Sequence, residues 1–262
     1  GAGTLTCASV SMATTGGNNR TNFLTISTGT ATVSGNLIMN DASSARNQVN
    51  ITGSGTLNVG GTFTGGGTTF NSGSTVNYSG ATQTIRNTTY GNLTISGSGI
   101  KTTAADITMT GNLLVESGAT LTLGGNDVNI NISGNRSAII NGTVNINGNG
   151  RLIESGTGTK TLIIGSGGVL NITDNGGSTL PVLNAYNFDA NSTVNFGSTD
   201  NQTIENSATY GHLTTSGSGT KTLESNGGTM NFLGNITIGN GTTLASSNKT
   251  MNVGGNWSNN GT

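Results

Sequence analysis

Ser74-Thr-Val-Asn-Tyr-Ser-Gly-Ala-Thr-Gln-Thr-Ile-Arg-Asn-Thr-Thr-Tyr-Gly-Asn-Leu-Thr-Ile-Ser-Gly-Ser-Gly-Ile-Lys101 returns later in the chain as Ser192-Thr-Val-Asn-Phe through Thr220-Lys221. The chain is therefore a repeat. The interval from Ser74 to Ser192 grows by one position between Gln83 and Gln202 and by one more between Tyr90 and Tyr210, so the copies drift by single-residue insertions. Insertions of that size belong in turns. The end of the stretch occurs three times, as Ser96-Gly-Ser-Gly-Ile-Lys101, Ser155-Gly-Thr-Gly-Thr-Lys160 and Ser216-Gly-Ser-Gly-Thr-Lys221, with nearly equal intervals from lysine to lysine.

Outside the repeat, composition narrows the class. Only 7% of the 262 residues are charged, against roughly 25% in an average soluble protein. Low hydrophobicity with high net charge would indicate disorder, but here the net charge is -1 and Val, Ile and Thr abound, which favours strands. Nine basic and ten acidic residues make no field that would draw nucleic acid or an anionic membrane. No apolar run approaches the roughly 20 residues of a membrane-spanning helix. Cys7 is the only cysteine, so no intramolecular disulfide forms. The chain starts at Gly1 without a methionine, which suggests a removed leader or a segment of a longer polypeptide.

Apolar residues come in short alternating groups bounded by Gly, Asn or Ser, such as Phe23-Leu-Thr-Ile26, Val76-Asn-Tyr78, Val144-Asn-Ile146 and Met251-Asn-Val253. Period two between turn residues means strands, and no stretch carries a helical period. Strands this short hold too few apolar side chains to stand as hairpins, but they suffice where each coil lies on the one before and like side chains stack. The sequence predicts an all-β fold, a single-stranded parallel β-helix with coils of roughly 20 residues and essentially no α-helix. Ladders of Val, Ile, Leu and Phe would fill it, and stacked Asn amides at its corners would bond along the axis. On that reading the interval from Ser74 to Ser192 is about six coils and each lysine interval about three. The domain expectation is one continuous solenoid over 1–262, built from imperfect repeats at 35–110, 111–233 and, in part, 234–262. Asn252-Val-Gly-Gly-Asn-Trp257 matches Asn58-Val-Gly-Gly-Thr-Phe63, so the chain stops inside a repeat and both ends are expected to continue, covalently or by stacking of subunits.

The motifs Ser-Thr-Val-Asn-Tyr/Phe, Gln-Thr-Ile, Tyr-Gly-Asn/His-Leu-Thr, Ser-Gly-Ser-Gly-Thr-Lys-Thr-Leu and Val-Gly-Gly-Asn-Trp-Ser together resemble the β-strand-repeat regions of very large secreted proteins of Bacteroidetes-type bacteria. The resemblance covers most of the chain, with Gly1 to Asn19 and Asn131 to Asn184 following it loosely. It implies a secreted or cell-surface location, a stalk role in an adhesin, and export through the type IX system.

Chemistry-bearing residues are sparse. Glycan-cleaving β-helices need paired carboxylates or a base beside Arg or Lys. The acids are Asp41, Asp106, Glu116, Asp127, Glu154, Asp174, Asp189, Asp200, Glu205 and Glu224, with no two at a spacing of two. Asp106 and Asp127, one coil apart, are the pair that could meet, and solvated turn positions are the expectation for all ten. Glu205 stands where Arg86 stands in the other copy, which reads as a surface position. His212 replaces Asn92, which reads as a turn or face position and not as a base. Gly124-Gly-Asn-Asp127 is a fragment of the calcium β-roll repeat and does not recur. Lys101, Lys160 and Lys221 read as solubilising surface residues, with a basic stripe for acidic glycans as the rival. Tyr78/Phe196, Tyr90/Tyr210 and Phe63/Trp257 read as internal or corner stacks, with sugar-binding platforms as the rival, and Cys7 as a small buried residue, with an interchain disulfide as the rival. Thr4/Thr6, Thr62/Thr64, Thr82/Thr84 and Thr120/Thr122 lack one regular spacing, which argues against a flat ice-binding face.

The expectation is thus a non-enzymatic shaft of a bacterial surface adhesin or extracellular filament. It has no catalytic, cofactor or metal residues, associates with itself end to end, and has surface glycans as candidate partners. A glycan-binding or glycan-cleaving β-helix is the first alternative and an ice-binding solenoid the second.

Overall fold

The computed structural model describes residues 3–13, 21–40, 46–131, 133–173 and 179–262. Every strand pairing among them is parallel, and no helix occurs. One nine-stranded sheet runs from Thr4–Cys7 through Thr30–Val33, Thr56–Val59, Thr75–Tyr78, Asn92–Ile95, Leu113–Val115, Arg136–Ile140 and Lys160–Ile164 to Ala185–Phe188. A second of nine strands runs from Gln83–Ile85 to Trp257–Asn259. Each takes every third strand along most of the chain and every second or third further on, and shorter sheets complete the remaining side of the coils. The chain is a parallel β-solenoid.

Alternation puts one column of each strand inside. Val76, Leu93, Leu113, Ala138 and Leu162 are successive register partners and all fully buried. On the second sheet Leu121, Val144, Leu170, Val194, Leu213 and Ile236 do the same. Each buried aliphatic side chain contributes about 1.5 to 3 kcal/mol, so stacking rescues strands that alone could not hold together.

The coils are not of one length. Thr75 pairs with Asn92 across a short coil, while Thr4 pairs with Thr30 and Val144 with Leu170 across coils half as long again. Corner loops absorb the difference while the strands keep register. The expectation of six coils per long repeat is corrected by the pairing. Five coils lead from Val76 to Tyr186 on the first sheet, and Val194, the equivalent of Val76, stands one side further, on the second. The long repeat advances by five coils and one side. The lysines follow suit, with Lys101 on the second sheet, Lys160 on the first and Lys221 on a three-stranded sheet with Gln202. Neither lysine interval is a whole number of coils. The three sides are chemically alike, an apolar-polar-apolar strand followed by a Gly or Asn corner, so a repeat need not close on a whole turn.

Candidate functional surface

Polar side chains on the outer faces bond along the axis. In strands reading Thr-Val-Asn or Thr-Leu-Asn the Asn points outward and meets its counterpart on the next coil. Asn58 Nδ2 donates to Thr32 Oγ1 (3.1 Å), Asn77 Nδ2 to Asn58 Oδ1 (3.1 Å), and Ser96 Oγ to Asn77 Oδ1 (2.8 Å). A second ladder climbs from Thr122 through Asn145, Asn171 and Asn195 to Ser216, with separations of 2.9 to 3.3 Å. Thr or Ser closes each ladder, because a hydroxyl ends a run of amides without leaving one group unpaired.

A second type of rung sits at corners, where a side-chain acceptor takes the main-chain N–H of the coil above. Asn92 Oδ1 receives Asn112 N (2.9 Å), Asn112 Oδ1 receives Ser137 N (2.9 Å) and Asn235 Oδ1 receives Asn256 N (2.8 Å). His212 Nδ1 receives Asn235 N at 2.7 Å, in the place of Asn92. The histidine is a corner acceptor, within the turn or face position that its alignment with Asn92 left open.

The lysines overturn the surface reading. Lys101, Lys160 and Lys221 are fully buried and Lys249 nearly so, and these are all the lysines of the chain. The first three ammonium groups donate to loop carbonyls: Lys101 Nζ to Ser98 O (2.8 Å), Lys160 Nζ to Thr157 O (2.6 Å), and Lys221 Nζ to Ser198 O, Asp200 O and Ser218 O (2.8 to 2.9 Å). The Gly-x-Gly turns beside them hold positive φ at Gly97 and Gly99, Gly156 and Gly158, and Gly217 and Gly219. That conformation favours glycine and turns carbonyls inward, where a cation can satisfy several at once. Burial lowers the pKa of Lys101 and Lys221. No basic stripe exists at these positions. Gln83, the partner of Lys101, is buried too. Its amide donates to Val59 O and Gly61 O and accepts from Gly80 N, and Gln202 beneath Lys221 repeats the pattern with Ile172 O and Ser198 N. The recurrence of Gln-Thr-Ile one coil before Lys101 and Lys221 was the signal for this pairing in the sequence.

The residue after Gln-Thr-Ile is likewise not a free surface position. Tyr78 and Tyr90 hydroxyls lie 2.8 Å apart and grip the main chain of Arg86, Tyr78 accepting from its N–H and Tyr90 donating to its carbonyl. Tyr210 donates to Glu205 O in the other copy, where Phe196 replaces Tyr78. The Arg86 and Glu205 side chains are half-buried against neighbouring segments. Burial lowers the Arg86 pKa and raises that of Glu205, which hydrogen bonds to Thr179 and Leu180 partly offset.

Asp106 and Asp127 do fall on adjacent coils, Asp127 N donating to Asp106 Oδ1 (2.8 Å). Arg151 on the next coil binds the Asp127 carboxylate through Nε and Nη2. The three make an axial column in which Asp127 is committed to Arg151. Glu154 lies 3.9 Å from Lys160 Nζ, Asp189 Oδ1 accepts Asn191 N, and Glu224 Oε2 accepts Asn206 N. Asp41 and Asp174 lie outside the described residues. Among the described residues no three His, Cys, Asp or Glu side chains gather as metal ligands, and Asn126 of the β-roll fragment bonds to Thr103 O. Tyr78, Phe196, Tyr90, Tyr210 and Phe63 are internal, but Trp257 is about half exposed, on a strand with a coil on one side only. Cys7 is partly buried against the core.

The Thr-x-Thr pairs do not share one side, Thr4 and Thr6 lying on the first sheet, Thr64 on a three-stranded sheet, and Thr84 and Thr122 on the second. Variable loops had hidden a column that the register reveals: Thr84, Thr102, Thr122, Asn145, Asn171, Asn195, Thr214, Thr237 and Ser258 face outward on nine consecutive coils. The fold and its surface thus define a solenoid with lateral faces of hydroxyl and amide ladders. No family model, no curated protein and no solved structure matches the chain.

Proposed function

We propose that this chain is a shaft segment of a secreted bacterial surface adhesin or extracellular filament. The observation that carries the reading is the direction of the polar bonding. Outer amide and hydroxyl ladders and corner acceptors bond from coil to coil, so these groups serve to hold coil on coil. A binding site needs polar groups that converge on a common point and await a partner. Parallel coil-on-coil pairing is also an extendable mode, and the reading includes continuation of the rod end to end. Electron microscopy of the natively isolated material tests it. Continuous filaments with an axial repeat of roughly 4.8 Å, the spacing between strands, are expected. Discrete single solenoids would sink the proposal.

The nine-coil column of Thr, Asn and Ser favours a second reading, a face that orders water in the manner of ice-binding solenoids. Inhibition of ice recrystallisation that is lost on replacing Thr102, Thr122 and Thr214 by Lys would support it over the shaft.

A further inference from the structure

The corner at Asn226-Gly227-Gly228 lies between Asn206 on the coil before and Lys249 on the coil after, and two donors converge there on one carbonyl oxygen. Asn206 Nδ2 and Lys249 Nζ each stand 2.7 Å from Asn226 Oδ1, and Lys249 Nζ also contacts Gly227 O. Donors aimed at an amide oxygen stabilise the charge that develops on it when the carbonyl carbon is attacked. A nucleophile is adjacent, because the N–H of a glycine that follows asparagine can close a five-membered ring on the side-chain carbon. The main chain there is open: Gly227 and Gly228 both hold positive φ, and nothing lies within 4 Å of where a Cβ would stand on either.

We propose that Asn226-Gly227 is a self-modifying site, at which Lys249 and Asn206 act as an oxyanion hole for deamidation of Asn226. Gly227 N attacks Asn226 Cγ and gives its proton to water while the Oδ1 charge rests on the Lys249 ammonium. The Cγ–Nδ2 bond then breaks, Nδ2 taking back a proton from water and leaving as ammonia, and a succinimide remains. Water opens the ring to aspartate or isoaspartate, so one water is consumed and one ammonia released, with no oxidant or cofactor. The product carboxylate faces the nearly buried Lys249 ammonium, and an ion pair between coils replaces a hydrogen bond to a neutral amide.

Of the five Asn-Gly pairs other than those of Asn226 and Asn240, Gly142, Gly150 and Gly261 commit their N–H groups to Val115 O, Asn147 O and Asn259 Oδ1, Asn147-Gly148 has one main-chain donor, Gly124 N, on its Oδ1, and Asn175-Gly176 lies outside the described residues. Asn240-Gly241 is the internal control, an equally exposed pair with Gly241 also at positive φ.

Peptide mapping by mass spectrometry of the folded chain, aged in neutral buffer, tests the proposal. The expected result is conversion at Asn226 at least about tenfold faster than at Asn240, a modest fraction of what a single oxyanion donor can supply. Lys249→Met should abolish that preference and Lys249→Arg should keep much of it, with circular dichroism to confirm folding. Equal rates at the two sites in the unaltered protein would overturn the proposal whether or not the variants fold. So would an unchanged rate in a folded Lys249→Met protein, or a cross-linked peptide joining Lys249 to Asn226, which would make the lysine a nucleophile and not a donor.

Discussion

Arg86 and Glu205 occupy the same position in the two copies of the long repeat and bind opposite halves of the peptide group. The Arg86 guanidinium donates to the carbonyls of Gly65 and Gly66 and lies over the Phe63 ring, whereas the Glu205 carboxylate accepts the N–H of Leu180. Opposite charges are tolerated at one place in the repeat because the neighbouring segment offers oxygens in one copy and a nitrogen in the other. Arg86→Glu therefore sets a carboxylate against two carbonyl oxygens and should cost about 2 kcal/mol or more, the scale of a partly buried charge that has lost its partner. Chemical denaturation would show it as a lower midpoint. A midpoint equal to the parent's would mean the position is an ordinary surface one.

Glu205 also predicts a pH dependence. Burial raises its folded-state pKa above the ordinary 4.5, so the folded chain holds this proton to a higher pH than the unfolded chain does. The resulting stabilisation is fully present below the ordinary carboxylate value and is lost as pH rises through the raised folded one. Glu205→Gln, which never ionises, should match the parent at acid pH and exceed it in stability at neutral pH. Denaturant midpoints at the two pH values decide the point, and a gap of the same size at both would contradict it.

All four lysines are buried donors, so reductive methylation of the native chain should leave Lys101, Lys160 and Lys221 unlabelled, and unfolding should expose them together. Lys221→Met leaves the carbonyls of Ser198, Asp200 and Ser218 without their donor. A loss of about 2 to 3 kcal/mol is expected, since hydrogen bonds to charged groups contribute about 1.5 to 3 kcal/mol each and water recovers part of the deficit. Ready labelling of Lys221 in the folded state would refute the buried geometry.

The amide ladder makes a graded prediction. Asn171 bonds to Asn145 on one side and Asn195 on the other, and Asn171→Ala should cost about 1 kcal/mol, the net contribution of such bonds at a partly exposed face. Asn171→Thr should cost less, because a hydroxyl can both donate and accept. Thermal denaturation of the two variants would separate them, and identical behaviour would mean the ladder is ornamental to stability.

His212→Asn should be nearly neutral, since an amide oxygen already plays this part at Asn92. His212→Ala leaves the Asn235 N–H to water and should cost about 1 kcal/mol. Equal losses in both variants would show that His212 is held by something other than its Nδ1 acceptor.

The sequence by itself determined the fold class. Short period-two strands bounded by Gly and Asn, and a stretch at Ser74 that returns at Ser192, admit few arrangements other than stacked parallel coils, because strands so poor in apolar residues must share a core along an axis. The match of His212 with Asn92 gave a turn or face position, and the structure shows why it holds, since equivalent places in the repeat accept equivalent main-chain bonds. What only the tertiary structure decided is where each coil closes. Coil length varies by half between the Thr75–Asn92 coil and the Thr4–Thr30 or Val144–Leu170 coils. Spacing in sequence cannot tell a longer loop from an extra side, so the five coils and one side of the repeat and the nine-coil Thr and Asn column were hidden. The lysines were misread for a related reason. A cation beside Gly-x-Gly reads as solvated until the positive φ of those glycines turns carbonyls inward, and that convergence of oxygens from separate peptides exists only in three dimensions.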